Sequence, residues 1–333
     1  MKKIRFGIIG CSKIAYRSLL PAIIKSDYAE LVIIGSRDKE KANKFAKDFN
    51  PRLGIGTYDD VINEKNVDAI YISVPIGLHQ KWSEKAAKSG KHVLCEKSAS
   101  TSYLHAKEMV STAKKNNTRI MEGFMFRFHP QHVKLREIIS NGNFGQPFIF
   151  SGMYGFPPVS KSDIRYNAEL GGGALNETGC YPIYASRMIF GEEPISVTFN
   201  LFFDSDSNVD VTGYGSIQFS NKKIAFIGFS FKNQYQSNYK IWGESGIAEL
   251  NKAYAVPTDF SPKIELTLSD KKSQVSIQPS DHFKNMVDAF CQEILIDIKK
   301  NSFEDDLLNQ AKLLESIRES SRKNTRVYLS EIN

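Results

Sequence analysis

Ile4-Arg5-Phe6-Gly7-Ile8-Ile9-Gly10-Cys11-Ser12-Lys13-Ile14-Ala15 decides the fold of this chain. An apolar run of strand length ends in a glycine, and a helical pattern over 13–25 begins at once. That is the setting of the dinucleotide fingerprint G-x-G-x-x-G/A. Gly10 makes the tight turn. Ala15 is small enough for the helix to pack close against the strand. The helix N-terminus, through Cys11, Ser12, Lys13 and Ile14, offers N–H groups and a positive dipole to phosphates. The middle glycine of the motif is replaced by Ser12. An ordinary βα turn can look the same, so the reading depends on the rest of the chain.

Outward from this turn the rhythm repeats. Apolar strand-length runs at 30–35, 69–74, 92–95 and 119–122 alternate with helical patterns at 39–49, 78–89 and 102–115. Strands alternating with helices of about ten residues or more indicate parallel strands with right-handed crossovers. The first part is therefore a Rossmann-type, doubly wound parallel α/β sheet. After residue 128 the pattern changes. A helix is expected at 130–141, a β run at 147–154 and a helix at 173–190. From 195 to 276 apolar and polar residues alternate, as in Val209-Asp210-Val211-Thr212-Gly213-Tyr214, which reads as antiparallel strands. Helices at 281–299 and 304–321 close the chain. The expected division is a cofactor domain at 1–126 and an α+β domain at 127–333 with a large, mostly antiparallel open sheet. The last helix is free to pack back on the first domain.

Composition excludes other classes. A chain of 333 residues needs no disulfide or metal staple for its core. It has no run of about 18 apolar residues, so no spanning helix is expected. Its start reads as a strand rather than a signal peptide. Cys11, Cys95, Cys180 and Cys291 form no CxxC pair, which points to reduced thiols and a cytoplasmic location. The net charge is +7, but no basic block exceeds a pair. Nucleic acid and membrane partners are not expected; small anionic ligands explain the charge equally well. No His/Asp/Glu cluster has metal-ligand spacing, so no metal is expected.

The end of the second strand bears on the cofactor. An acidic residue there would accept bonds from a ribose 2′-OH. This chain has Gly35-Ser36-Arg37-Asp38. Ser36 and Arg37 can hold a 2′-phosphate, and Asp38 is placed to cap the next helix. NADP(H) is therefore preferred to NAD(H). Arg37 as a plain solvated charge is the alternative.

Three further stretches lift the reading above a generic nucleotide domain. They are Ser73-Val74-Pro75-Ile76-Gly77-Leu78-His79, Cys95-Glu96-Lys97-Ser98, and Gly171-Gly172-Gly173-Ala174-Leu175-Asn176-Glu177-Thr178-Gly179-Cys180-Tyr181-Pro182. With the stretch 122–131, they resemble the glucose–fructose oxidoreductase / inositol dehydrogenase / MocA family, over essentially the whole chain and in the right order. Asp163-Ile164-Arg165-Tyr166 and Ser237-Asn238-Tyr239 look most like the sugar-nucleotide C-3 ketoreductases of deoxysugar biosynthesis.

The resemblance implies roles for residues. Lys97 matches the lysine of the Glu-Lys-Pro motif, with Ser98 in the place of the proline, and would polarise a substrate carbonyl. Tyr181 matches the family's His-or-Tyr position and would donate a proton; the charge of Lys97 would make that phenol more acidic. Glu177, where relatives usually have Asp, lies four residues before Tyr181, so an α-helix would put both on one face. It would orient the substrate. Gly10, Cys11, Ser12, Lys13, Ile14, Ser36, Arg37, Ser73, Val74, Pro75, Leu78, His79, Glu96, Lys97 and Arg165 would meet the cofactor. Arg127, Tyr166, Asn238 and Tyr239 would meet the substrate, with Arg127 near the domain junction. His129 and His132 are read as shaping that junction. The function implied is NADP(H)-dependent reduction of a keto group, in a 3-keto sugar nucleotide. The enzyme would assemble as a homodimer or homotetramer through the second-domain sheet. Two rivals stay open: a dehydrogenase of a free sugar, polyol or trans-dihydrodiol using the same residues, and a catalytically silent NADP(H)-sensing protein.

Overall fold

β1 (Ile4–Ile9) is apolar along nearly its whole length because both of its faces are covered. In the computed structural model, which describes residues 2–296 and 302–333, it lies at the centre of a six-stranded parallel sheet. The chain leaves it through a π turn (Ala15–Leu19) and α1 (Leu20–Lys25), then runs through β2 (Ala29–Gly35), α2 (Lys39–Phe49), β3 (Ile55–Gly56) and α3 (Tyr58–Asn63). It crosses to β4 (Ala69–Ile72), α4 (His79–Lys88), β5 (His92–Cys95), α5 (Tyr103–Lys115) and β6 (Ile120–Glu122). The strand order is β3-β2-β1-β4-β5-β6. The order reverses between β1 and β4, and the crevice outside the strand ends at such a reversal is where ligands of these sheets bind.

The second unit starts with α6 (Pro130–Ser140), β7 (Pro147–Gly155), a π turn (Leu175–Gly179) and α7 (Cys180–Phe190). There follow β8 (Ser196–Phe203), β9 (Asp210–Gln218), β10 (Ile224–Ser230), β11 (Gln236–Gly243), β12 (Gly246–Leu250), β13 (Lys263–Leu268) and β14 (Lys271–Ser276). Consecutive strands from β8 to β10 and from β11 to β14 pair antiparallel, as their alternating pattern predicts. β7 inserts between β10 and β11 and runs parallel to β10. Strand period places one face inward, with Phe150, Ile227, Phe229, Tyr239 and Ile241 buried. The opposite face leaves Met153, Phe202, Tyr214, Phe226 and Trp242 exposed.

The chain closes with α8 (His282–Leu295), α9 (Phe303–Lys323) and β15 (Val327–Tyr328), the last paired to β8. Of the helix expected at 281–299, residues 297–299 lie outside the described residues. Two compact units result: Met1–Met125 with Phe283–Ala311, and Phe126–His282 with Lys312–Asn333. The sequence suggests a cut near residue 126 with the last helix free to pack back on the first domain; the first unit takes the start of that helix and α8 as well, through segment 283–311. The Phe290 ring lies 6.3 Å from Phe6, and Leu307 and Ala311 complete that unit's core. Arg119, at the edge of β6, is buried with Glu293 (2.9 Å) and Glu304 (2.7 Å).

Candidate active site

In the first unit, the candidate residues gather at the carboxyl ends of β1, β2, β4 and β5. Gly10 has φ +102°, and a Cβ there would lie 3.0 Å from the Ser73 carbonyl group. The Gly10 amide donates to the Gly35 carbonyl (3.1 Å), and the Ser73 hydroxyl donates to the Gly10 carbonyl (2.8 Å). These bonds draw three strand ends together. Ser12, in place of the motif's glycine, accepts from the Ala15 amide through its hydroxyl (3.1 Å) and so caps the helix. Lys13 and Ile14 are exposed, which leaves this first turn open to a ligand. Asp38 caps α2 by accepting from the Lys41 amide (3.0 Å), while its own amide donates to the Ser36 hydroxyl (3.0 Å). The carboxylate is committed to the helix, and exposed Arg37 remains as the charge beside Ser36.

Beyond β5, the Lys97–Ser98 peptide is cis. Glu96 is buried and accepts from the Tyr71 hydroxyl and from the Lys97 amide. His79, expected to border a cofactor, is 1% exposed, and both ring nitrogens face backbone carbonyls. Burial lowers its pKa to about 4. It is part of the scaffold beneath the loops.

In the second unit, Gly173 has φ +117°, and a Cβ there would meet the Asp210 carboxylate at 2.3 Å. That carboxylate accepts from the Leu175 amide (2.6 Å), and burial pushes its pKa up to about 6. Asp210 thus caps the helical run that carries Glu177 and Tyr181. The run opens with the π turn, so the four-residue spacing of Glu177 and Tyr181 is not the α-helical repeat that the sequence suggests. The two side chains have different surroundings. Glu177 accepts two bonds from Arg165 (3.0 and 2.8 Å), and Asp163 holds the same guanidinium (3.0 and 3.1 Å). Tyr181 is buried among the rings of Phe126, Tyr154 and Tyr254, at 5.1–5.8 Å between centroids.

The other expected residues divide. Arg127 donates to the Tyr184 hydroxyl (2.5 Å), and its guanidinium lies over the Phe128 ring. Tyr166 packs on Phe231, with the Lys161 ammonium over its ring. Tyr239 is fully buried, its hydroxyl 2.7 Å from His132 Nδ1. Asn238, next along the same strand, projects from the opposite face, so the two do not line one surface. Residues that sequence reasoning missed are Asp210, Tyr71 and Glu122. A carboxylate at the head of an alternating apolar strand was the available signal for Asp210.

Two family models match this chain. "Oxidoreductase family, NAD-binding Rossmann fold" spans residues 4–124, and "GFO/IDH/MocA C-terminal domain" spans 132–249. The dTDP-3,4-didehydro-2,6-dideoxy-alpha-D-glucose 3-reductase of Actinomadura kijaniata is 32% identical, over 96% of each chain. The chain belongs to the GFO/IDH/MocA family of oxidoreductases. Another family relative, the D-xylose 1-dehydrogenase (NADP(+)) 2 of Haloferax volcanii, is 28% identical over 87% of this chain and 88% of its own. Among solved structures, a 3-ketoreductase from Actinomadura kijaniata in complex with NADP and TDP-benzene superposes with a TM-score of 0.91. It is 31% identical, over 96% of this chain and 98% of that one. That enzyme has also been solved with one tyrosine changed to phenylalanine, and with one lysine changed to alanine or to glutamate.

Proposed function

We propose that this oxidoreductase uses NADP(H) to reduce the C-3 keto group of a nucleotide-linked deoxysugar. One observation carries the reading. In the Actinomadura enzyme the altered lysine and tyrosine are 84 residues apart, the same interval that separates Lys97 from Tyr181. That interval joins the two family motifs, and the identity extends over nearly the whole of both chains.

The residues fit the cofactor. The Gly10 turn lets the end of β1 sit against the Ser73 backbone where a side chain would clash, and the helix capped by Ser12 would hold the pyrophosphate on its N–H groups. Ser36 and Arg37 would hold the 2′-phosphate, with no carboxylate competing once Asp38 is committed to α2. Ser73, Val74, Pro75 and Leu78 would border the ring end. When bound, the reduced dinucleotide supplies a hydride. Lys97 Nζ would polarise the substrate carbonyl, and the Tyr181 hydroxyl would give the oxygen its proton. Glu177, fixed by Arg165, would orient a neighbouring sugar hydroxyl. Tyr166 and Arg127 would border the substrate; Asn238 and Tyr239 are left out. The proposed compartment is the cytoplasm, which supplies NADPH. The proposed assembly is a homo-oligomer joined through the exposed sheet face.

The test is NADPH oxidation with a panel of 3-keto sugar nucleotides, free keto sugars and dihydrodiols. Turnover should be confined to the nucleotides. Tyr181→Phe and Lys97→Ala should each lower it by orders of magnitude while NADPH still quenches protein fluorescence. Near-normal turnover in both variants would sink the assignment.

A further inference from the structure

The turn after β5 is tied down by side chains. The Lys97 amide donates to Glu96 (3.2 Å), and the Ala99 amide donates to Glu122 (2.7 Å). Tyr71 in β4 donates its hydroxyl to Glu96. The Ser98 carbonyl lies 3.0 Å from His79 Nδ1. The other nitrogen of the same ring, Nε2, lies 2.7 Å from the Val74 carbonyl. One imidazole therefore lies between two loops, 73–75 after β4 and 96–99 after β5; the neutral ring carries one N–H, which donates to one of the two carbonyls while the ring packs against the other. The ring is almost fully buried at the start of α4, where helix packing leaves it little freedom.

The two loops are those to which the proposed function assigns the cofactor border and Lys97. An ammonium at the end of a four-carbon stem is held only as well as its backbone. Polarising one carbonyl oxygen demands near-contact geometry, where a displacement of about 1 Å costs about a hundredfold. A side chain that locks one loop to the other sets that geometry without touching the substrate.

We infer that His79 is a positioning residue: wedged between the Val74 and Ser98 carbonyls, donating its single N–H to one and packing against the other, it fixes Lys97 relative to the loop that borders the cofactor. Glu122 completes the clamp from β6 through the Ala99 amide. The inference rests on the reading of Lys97 as the polarising residue.

A double-mutant cycle on the full-length enzyme tests it. His79→Ala should lower kcat about ten- to a hundredfold. NADPH affinity, read by fluorescence quenching, should stay within about threefold. His79→Gln, which keeps a polar group in the ring's place, should recover part of the loss. Glu122→Ala should lower kcat in the same way, while Glu122→Gln, which keeps an acceptor for Ala99, should stay near wild type. In a Lys97→Ala background, His79→Ala should change the residual rate by less than about twofold, because the group it acts through is gone. A ring that merely fills the core would give losses that multiply. Multiplying losses, or an unchanged kcat, overturn the inference and leave Lys97 in its role. If His79→Ala does not fold, His79→Gln carries the same cycle. Normal turnover by Lys97→Ala alone overturns the functional reading and the inference with it.

Discussion

Arg37 and Asp38 are neighbours in sequence with opposite uses. The aspartate is bonded into the first turn of α2, and the arginine stands exposed beside Ser36. A charged hydrogen bond to phosphate is worth about 1.5–3 kcal/mol, or roughly ten- to a hundredfold in affinity. Arg37→Ala should therefore weaken NADPH binding by about that factor and leave NADH binding nearly unchanged. Equal losses for both cofactors in a fluorescence titration would contradict the assignment of the 2′-phosphate. At this scale motifs name candidates, as for Lys97 and Tyr181, whose roles belong to the proposed function. The site was not readable where the side chain's direction matters. Alternation in β11 shows that Asn238 and Tyr239 point apart, but which of them points inward depends on α7 covering one face. The Arg165–Glu177 pair joins positions twelve residues apart across the glycine triplet, and no local spacing announces it.

The helical run from 174 to 190 depends on its first residues. Gly173 adopts a backbone that L side chains rarely take, and the Asp210 carboxylate occupies the place of its missing Cβ. Gly173→Ala should cost about 1–3 kcal/mol from backbone strain alone. It should also displace the cap, so thermal unfolding should shift down and turnover should fall together. Asp210→Ala removes the cap alone and should cost about 1 kcal/mol. The parallel strands β1 to β6 were legible because each is an apolar run set between helical patterns. The insertion of β7 between β10 and β11 was not, because strand pairing across more than sixty residues leaves no mark in periodicity. The π turn was equally silent, since one extra residue per turn hardly alters an apolar pattern.

Among the described residues four histidines are buried, and their sign is common. Burial lowers His79 and His129 to about 4 and His132 and His282 to about 3, from an ordinary value near 6.5. Above pH 6.5 they are neutral in both folded and unfolded chains and carry no proton-linked cost. As pH falls below 6.5 the unfolded chain takes protons that the folded chain refuses, at up to about 1.4 kcal/mol per pH unit for each group. Asp210, raised to about 6, works in the opposite sense between pH 6 and 3.8 and offsets roughly one of the four. The melting temperature should hold above pH 7 and fall steeply from pH 6.5 toward 4; a flat profile there would contradict their burial. On the exposed sheet face, Tyr214→Glu should lower the mass seen by light scattering if copies pair there. At Arg119, Arg119→Met would leave Glu293 and Glu304 buried without their cation, and should cost about 3–5 kcal/mol. That cluster has a consequence for how such a protein can be recombined. The first unit is written in two separate stretches of the gene, so a chimera made with one crossover near residue 126 would separate Arg119 from both glutamates and Phe6 from Phe290. Swapping the cofactor half between relatives requires carrying 283–311 along with it, and inheritance of that half is discontinuous even though its fold is whole.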